Sequence, residues 1–336
     1  MNDIVTIVTP SYNQGQFIEE TINSVLSQEG DFFIQYIIAD GGSTDNSVEI
    51  IKKYEKLLKE KKYPVRCKGI EYIWWSRKDR GQSHAINQGF KIAKGDILAW
   101  INSDDYYEPG AFDYIFDMFR KHPHIDMIYG DCYFILGNKK KILGKSKQGD
   151  FYSFLMKDYT IYQPSTFFTK GILQKIGLLD QKLHYAMDYD LWLRILKEGK
   201  ALYCRRSLST FRIWEQSKTS PYQEKSALAA NIYTPISSHF ENSTREHEYI
   251  IQKHKSWLER YSRAYGIHLR HMGTRYLIMG NKRKSIEYFV QCVRVNPGFR
   301  NILTMLLSLL GRKAYWTLLN MKRKITGSAV HRHLET

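Results

Sequence analysis

Ile4-Val5-Thr6-Ile7-Val8 running into Thr9-Pro10-Ser11-Tyr12-Asn13, and Tyr36-Ile37-Ile38-Ala39 running into Asp40-Gly41-Gly42-Ser43-Thr44-Asp45, share one arrangement: an apolar run that breaks into a polar loop. After each loop the apolar residues change period. Phe17, Ile18, Ile22, Val25 and Leu26 follow the first, and Val48, Ile50, Ile51 and Tyr54 the second, at helical spacing. The alternation continues with a strand over 70–75 and a helix over 83–93, then a strand over 96–101 that ends at Asn102-Ser103-Asp104-Asp105. Further along, 127–133 reads as a strand, 171–176 as a short helix, and 188–198 as an amphipathic helix through Leu191, Trp192, Ile195 and Leu196. Strands alternating with helices imply an α/β fold, a mostly parallel sheet flanked by helices, whose ligand crevice lies at the carboxyl ends of the strands. The polar motifs sit at those ends.

The 336 residues exceed the usual size of one small core, and 43% hydrophobic content with only 8 prolines is unlike a disordered chain. A domain over 1–240 followed by a helical module over 241–336 is expected, because strand signals fade from about residue 249 onward. The net charge of +16 is unevenly placed. Residues 245–336 hold 18 lysines and arginines against 5 acidic residues, a local charge of +13, so the first 244 residues are nearly balanced. The four cysteines, Cys67, Cys132, Cys204 and Cys292, show neither a paired nor a zinc-like spacing, which fits buried thiols in a reducing cytosol. No secretion signal and no transmembrane run is read, and a cytoplasmic location is expected.

Four segments carry candidate chemistry. Asp104-Asp105 offers hard carboxylate oxygens of the kind that suit Mn2+ or Mg2+ bridging a diphosphate. Taken alone, the pair reads first as a cap for the helix that Glu108-Pro109-Gly110 opens. Asp40 beside Gly41 and Gly42 could accept hydrogen bonds from a base, or simply form a turn in which Ser43 or Asp45 caps the next helix. Thr9, Pro10, Ser11 and Tyr12 read either as a nucleotide-facing loop with Tyr12 over a base or as a Pro-directed turn. Arg80, Gly81 and Gln82, with Asp79 and Ser83, crowd hydrogen-bonding groups into the start of a helix, where backbone N–H groups and Arg80 could meet phosphate.

In this order and spacing the segments resemble the inverting family 2 glycosyltransferases of GT-A fold, over roughly residues 3–215. The resemblance rests on residues 8–13, 39–45, 79–83, 102–105 and Met187-Asp188-Tyr189-Asp190-Leu191-Trp192. It implies a nucleotide-diphosphate sugar donor and a glycan or lipid-linked glycan acceptor. Asp40 would contact the base, Thr9, Pro10, Ser11 and Tyr12 would line the nucleotide pocket, and Asp104 and Asp105 would hold ribose, metal and diphosphate, with Asp105 the metal ligand. The chain departs from the family pattern twice. Asn102 replaces a frequent first carboxylate, and Met187 replaces the Glu that usually precedes the catalytic aspartate, leaving Asp188 as general base with Asp190 next in line. Helix capping is the alternative for both, and the preferred one for Asp190. Gln163-Pro164-Ser165-Thr166 reads equally as an acceptor contact or a plain turn. Trp74, Trp75 and Trp100 read as packing residues; Trp192 is open between packing and sugar contact.

Two other function classes are weighed: a catalytically silent nucleotide-sugar binding module, and an adaptor acting through the basic C-terminal helices. Nucleic acid is an unfavoured partner. Leu306, Leu307, Leu309, Leu310, Trp316, Leu318 and Leu319 among basic residues suit an interfacial helix on an anionic membrane surface and, equally, a cap on the catalytic domain. Residues 276–297 loosely resemble a single tetratricopeptide unit, but without a second copy an isolated helical hairpin is expected.

Overall fold

The first apolar run becomes β1 (Ile4–Ser11), longer than its β-branched stretch because Pro10 and Ser11 still pair in parallel with Ala39 and Asp40 of β2 (Gly30–Asp40). Residues 2–136, 141–214 and 238–311 are described by the computed structural model. They divide into two compact units, Met1–Phe151 with Tyr159–Trp214, and Tyr152–Asp158 with Glu215–Thr336. The division thus falls after Trp214, compared with the expected boundary near residue 240.

In the first unit β3 (Cys67–Ser76), β2, β1 and β4 (Ile97–Trp100) lie side by side, all parallel. Helices α1 (Ile18–Leu26), α2 (Ser47–Lys59) and α3 (Gln82–Lys91) provide the crossovers. Both faces of the sheet are covered, which is why the strands read as continuous apolar runs. Val5, Ile7, Ile34, Tyr36 and Ile38 pack with Ile18, Ile22 and Val25 of α1 in one core. On the other face Trp100 stacks on Trp192 at 5.6 Å and meets Phe90 and Phe168 edge-on. Trp100 and Trp192 are each 1% exposed, so Trp192 is a packing residue and the sugar-contact reading of it is set aside.

The second half of the sheet holds four strands that sequence pattern left unread, beside the strand expected over 127–133 and the helices expected over 171–176 and 188–198. β5 (Tyr106–Tyr107), α4 (Ala111–Lys121), β6 (Met127–Leu136), β7 (Ile142–Gly144), α5 (Phe151–Leu155), β8 (Thr166–Thr169), α6 (Lys170–Ile176), α7 (Met187–Glu198) and β9 (Ala201–Ile213) follow in chain order. The strand order continues β4-β8-β6-β9-β5, with β7 on β6. β8 is antiparallel to both its neighbours, β9 is parallel to β6, and β5 returns antiparallel on β9. β9 therefore reaches the acidic cluster from the far end of the first unit.

The second unit contains helices Ser238–Lys253, Lys255–Leu258, Ser262–Ile278, Lys282–Val295 and Phe299–Leu309. The third and fourth form a hairpin that begins at Ser262, well before the hairpin expected over 276–297, and are drawn close where Ser285 Oγ donates to Gly273 O at 2.8 Å. Inside this unit Lys157 Nζ lies 3.2 Å from His271 Nδ1, and a ring nitrogen of His268 is 3.0 Å from Leu155 O. Burial, with the charges of Arg275 and Lys157 added, pulls His247 down to about 3. Burial and Lys157 do the same to His268. The charge of Lys157, then burial, holds His271 well below its ordinary value. These histidines are neutral in the fold, whereas the unfolded chain takes up protons near pH 6.5. Below that pH the unfolded state binds more protons, so stability is complete above about 6.5 and declines as pH falls toward 3. Urea midpoints of the second-unit transition should drop between pH 7 and pH 5, on the order of 1 kcal/mol per histidine. An equal or higher midpoint at pH 5 would refute this.

Candidate functional site

The loops after β1 and β2 are stitched together at the carboxyl edge of the sheet. Asn13, at φ 52°, donates its N–H to Ser43 Oγ at 2.8 Å and accepts the Thr44 N–H at 2.8 Å. Gln14 and Gly15 N–H groups donate to Ser47 Oγ and Asp45 Oδ2. Asp45 also accepts the Ser47 N–H at 3.0 Å, so it satisfies the first turn of α2 as the capping alternative foresaw, although Asn46 occupies the N-cap position.

Asp40 is 1% exposed. Its Oδ2 accepts from Gly42 N–H (3.0 Å), Ser43 N–H (2.9 Å) and Ser76 Oγ (2.6 Å), and its Oδ1 from Ser43 Oγ. Four donors fill the roughly four acceptor positions of a carboxylate, so Asp40 shapes the turn from inside. Gly42 sits at φ +86°, where a Cβ would be strained, and a Cβ on Gly41 would meet Asp79 at 3.2 Å and the Tyr12 ring at 3.4 Å. Tyr12 is 61% exposed over this glycine floor. Thr9 faces the other way: its hydroxyl is buried and lies 3.0 Å from the Tyr36 hydroxyl. Pro10 is part of the β1–β2 ladder, while the buried Ser11 Oγ has no hydrogen-bond partner among the described residues. An orphaned, buried hydroxyl at a strand's carboxyl end is a polar atom whose partner the described residues do not supply.

Gly81 is the N-cap of α3, at φ +104°, with its N–H donated to Asp79 Oδ1 at 2.7 Å. Arg80 beside it is exposed. From the first turn of α3, Gln82 Nε2 donates to Asn102 Oδ1 at 2.6 Å. Asn102 Nδ2 in turn donates to Asp105 Oδ2 (3.3 Å) and to Gln163 Oε1 (3.2 Å), and Gln163 Nε2 returns to Trp100 O at 2.7 Å. Asn102, noted above as a lost carboxylate, is the hub joining α3 to the acidic pair. Of the 163–166 segment only Gln163 reaches the cluster; a 3-10 turn (Gln163–Ser165) buries Ser165 against Asp131 O and Ser209.

Neither Asp104 nor Asp105 caps α4, whose N-cap is Gly110 in the left-handed region without a side-chain bond. Asp105 is 1% exposed, accepting the Arg212 N–H at 2.9 Å on Oδ1. Burial, then the adjacent Asp104 charge, raise its pKa well above the ordinary carboxylate value despite the bonds from Arg212 and Asn102. Asp104 is half-buried and accepts from Trp214 Nε1 at 2.9 Å, while its carbonyl accepts from Arg212 Nε. Arg212 also pairs with Glu20 and lies over the Phe17 ring at 4.7 Å. Arg212 and Trp214 were not singled out from sequence. The only local signal was their place just inside the end of the resembling stretch.

Two adjacent carboxylates, one desolvated and repelled by the other, form a donor set whose charge a hard divalent cation would relieve. Among the described residues no group of three or more His, Cys, Asp or Glu side chains is gathered. The rest of a coordination shell would come from diphosphate and water, the usual habit of Mg2+.

α7 starts beside α3. Ser83 Oγ donates to Leu183 O at 2.7 Å and lies 2.8 Å from Met187 Sδ, and Asn87 exchanges two hydrogen bonds with Leu179. Asp188 stands in the first turn of α7, half-buried, its Oδ1 accepting the Tyr189 N–H at 2.7 Å. Asp190, for which capping was preferred, does not cap: the N-cap is Ala186 without a side-chain bond, and the fully buried Asp190 pairs with Arg194 at 3.0 Å. It is one turn too deep in the helix to reach the free N–H groups.

The four cysteines are free thiols, three of them buried. No helix among the described residues is long and apolar enough to cross a membrane.

Comparison with known proteins agrees with this geometry. An uncharacterized glycosyltransferase of Rickettsia typhi is 26% identical over 65% of this chain and 66% of its own length. The chain thus spans just under two thirds of that relative. Chondroitin synthase of Pasteurella multocida is 26% identical over 59% of this chain but only 19% of its own. Among solved structures, S. aureus TarS 1-349 in complex with UDP-GlcNAc superposes with TM-score 0.52 at 15% identity, over 87% of this chain and 90% of that one. The mannosyltransferase PcManGT from Pyrobaculum calidifontis, in complex with GDP-Man and Mn2+, gives 0.50 at 14% identity over 94% and 83%. At such identities these structures bear on the fold, which they show to be GT-A-like. The family described as "Glycosyl transferase family 2" matches residues 6–176, about half of the sequence, and with the sheet and its edge motifs in place the chain belongs to that family.

Proposed function

We propose that the protein moves a sugar from a nucleotide-diphosphate sugar to a hydroxyl of a glycan or lipid-linked glycan, with inversion at the anomeric carbon and with Mn2+ or Mg2+ at the acidic pair. The observation that carries this reading is the bonded chain Gln82–Asn102–Asp105, together with the hold of Ser83 on the start of α7. It groups a carboxylate pair, a phosphate-compatible helix start and a candidate base around one point, the N-terminus of α3. The nucleotide and Mn2+ in the structurally similar proteins named above support the same assignment.

In this reading Tyr12 covers the base, Ser11 Oγ and the Gly41-Gly42 backbone contact the nucleoside, and Asp40 keeps that floor in shape. Arg80, Gly81 and Gln82 face the diphosphate. Asp105 remains the metal ligand expected from sequence, and the less buried Asp104 shares the ion. A bound cation would neutralise charge developing on the leaving diphosphate. Asp188 accepts the proton of the acceptor hydroxyl as its oxygen bonds to the anomeric carbon, while the bond to the diphosphate oxygen breaks and the nucleoside diphosphate departs with the electron pair.

Asp105→Asn tests the metal site. It keeps an acceptor for the Arg212 N–H and removes a charge whose pKa is raised in the fold. A carboxylate whose pKa is raised in the fold costs stability as pH rises above its ordinary value, so the variant, which also gives up the Oδ2 acceptor of Asn102 Nδ2, should lose less melting temperature than the wild type as pH rises without metal. It should also lose the additional stabilisation that donor plus Mn2+ gives the wild type in a thermal-shift assay. Retained metal-dependent stabilisation would exclude Asp105 as a ligand. Donor binding without turnover across an acceptor screen would favour the silent binding module instead.

A further inference from the structure

The helix Phe299–Leu309 is inside out. Its buried positions are Asn301 and Ser308, at 4% and 0% exposure, whereas Phe299, Ile302, Leu303, Leu306 and Leu309 are exposed, with Leu310 just beyond the helix. Asn301 is locked inward, accepting from Arg270 Nη1 at 2.7 Å and donating to Asn296 O at 2.8 Å, so the helix cannot simply roll over. The exposed residues recur at three- and four-residue steps and form one continuous stripe. Phe299 is 81% and Leu310 64% exposed. A helix that spends its polar residues on its own protein and turns six large apolar side chains outward has a partner for that face.

The charge around the stripe selects the partner. Helix Phe299–Leu309 contains Arg300 and no acidic residue. The neighbouring helix Lys282–Val295 opens with Lys282, Arg283 and Lys284, of which Arg283 pairs with Glu287 and Lys284 with Glu248, and Arg312 and Lys313 follow Gly311 in sequence. Residues 245–336 together carry +13, so two copies brought face to face would repel. An anionic bilayer answers both features, receiving apolar side chains below its headgroups and attracting the cations at its surface. We propose that Phe299, Ile302, Leu303, Leu306, Leu309 and Leu310 seat the protein on an anionic membrane surface. Trp316, Leu318 and Leu319, grouped with this stripe by sequence, lie outside the described residues.

Flotation with vesicles tests this, using the protein and its double variant Phe299→Glu, Leu306→Glu, both at exposed positions. Wild type should partition onto phosphatidylglycerol-containing vesicles and much less onto pure phosphatidylcholine, with the difference shrinking in high salt. The variant should lose about a hundredfold in partitioning, about tenfold per apolar anchor removed. Its far-UV circular dichroism and donor-induced thermal shift should remain those of the wild type. Failure of wild type to float on anionic vesicles, or equal flotation of variant and wild type, overturns the proposal. So does a wild-type dimer in sedimentation that the variant dissolves, since the stripe would then serve a second copy. Because the readout is partitioning, it stands or falls separately from transfer activity.

Discussion

Asp188→Asn should lower kcat for sugar transfer by roughly a hundred- to ten-thousandfold while leaving donor affinity within about twofold, the range expected when a positioned general base is removed. The substitution keeps size and keeps an oxygen for the Tyr189 N–H, so the first turn of α7 loses neither packing nor its hydrogen bond. What disappears, in the proposed mechanism, is the capacity to take a proton from the acceptor. Asp190 cannot substitute, because it is fully buried and committed to Arg194. The measurement is kcat and donor Kd for both forms with one acceptor. Unchanged kcat would remove Asp188 from the mechanism, and a donor Kd weakened in step with kcat would make it a donor-site residue. Indifference in both would point to a module that binds and does not turn over.

Asp190→Ala should act on the fold instead. The Arg194 guanidinium bonds Asp190 at 3.0 Å and donates to the carbonyls of Ile176, Gly177 and Leu178 at 2.9–3.0 Å. Removing the carboxylate leaves a guanidinium charge in a largely buried place, a change that typically costs about 3–5 kcal/mol. For a unit of this size that is a fall in melting temperature on the order of 10 °C. Arg194→Met should be no remedy, because it orphans three carbonyls at once. Those carbonyls tether the chain just ahead of Leu179–Met187, the segment that α3 grips, so the ion pair positions Asp188 from behind. A melting temperature within a degree or two of wild type would show that the pair is dispensable.

The contrast between two aspartates separated by one residue shows where sequence reading stops. Parallel strands buried on both faces are legible as Ile-, Val- and Ala-rich runs, and β1, β2 and β4 fit that description, whereas β3, an edge strand, is read from the Ile- and aromatic-rich run 70–75. β9 carries Arg205, Arg206, Ser207 and Ser209, and its register with β6 shifts around Gly130 to Cys132, so neither alternation nor an apolar run announces it. β8, four residues like β4, follows a 3-10 turn and so falls outside the strand–helix alternation that marked β4. The same blindness hid Arg212 and Trp214, whose bonds to Asp105 and Asp104 span more than a hundred residues of chain. Thr9 illustrates a finer limit. A motif match counts it with Tyr12, but strand alternation turns its hydroxyl toward Tyr36, and only the register of β1 on β2 reveals that.

The closing of β9 onto the acidic pair also orders events in time. During synthesis the carboxylates emerge at residues 104 and 105, yet the backbone N–H that holds Asp105 and the indole that holds Asp104 come at residues 212 and 214. Domains fold as units during synthesis, and the glycine floor around Asp40 and the acidic pair share one unit, so that unit is not complete until β9 has emerged. The part of the molecule that would hold a charged donor waits for β9, the last strand among the described residues, so a chain cut short before residue 212 would leave Asp105 and Asp104 without the donors that Arg212 and Trp214 supply.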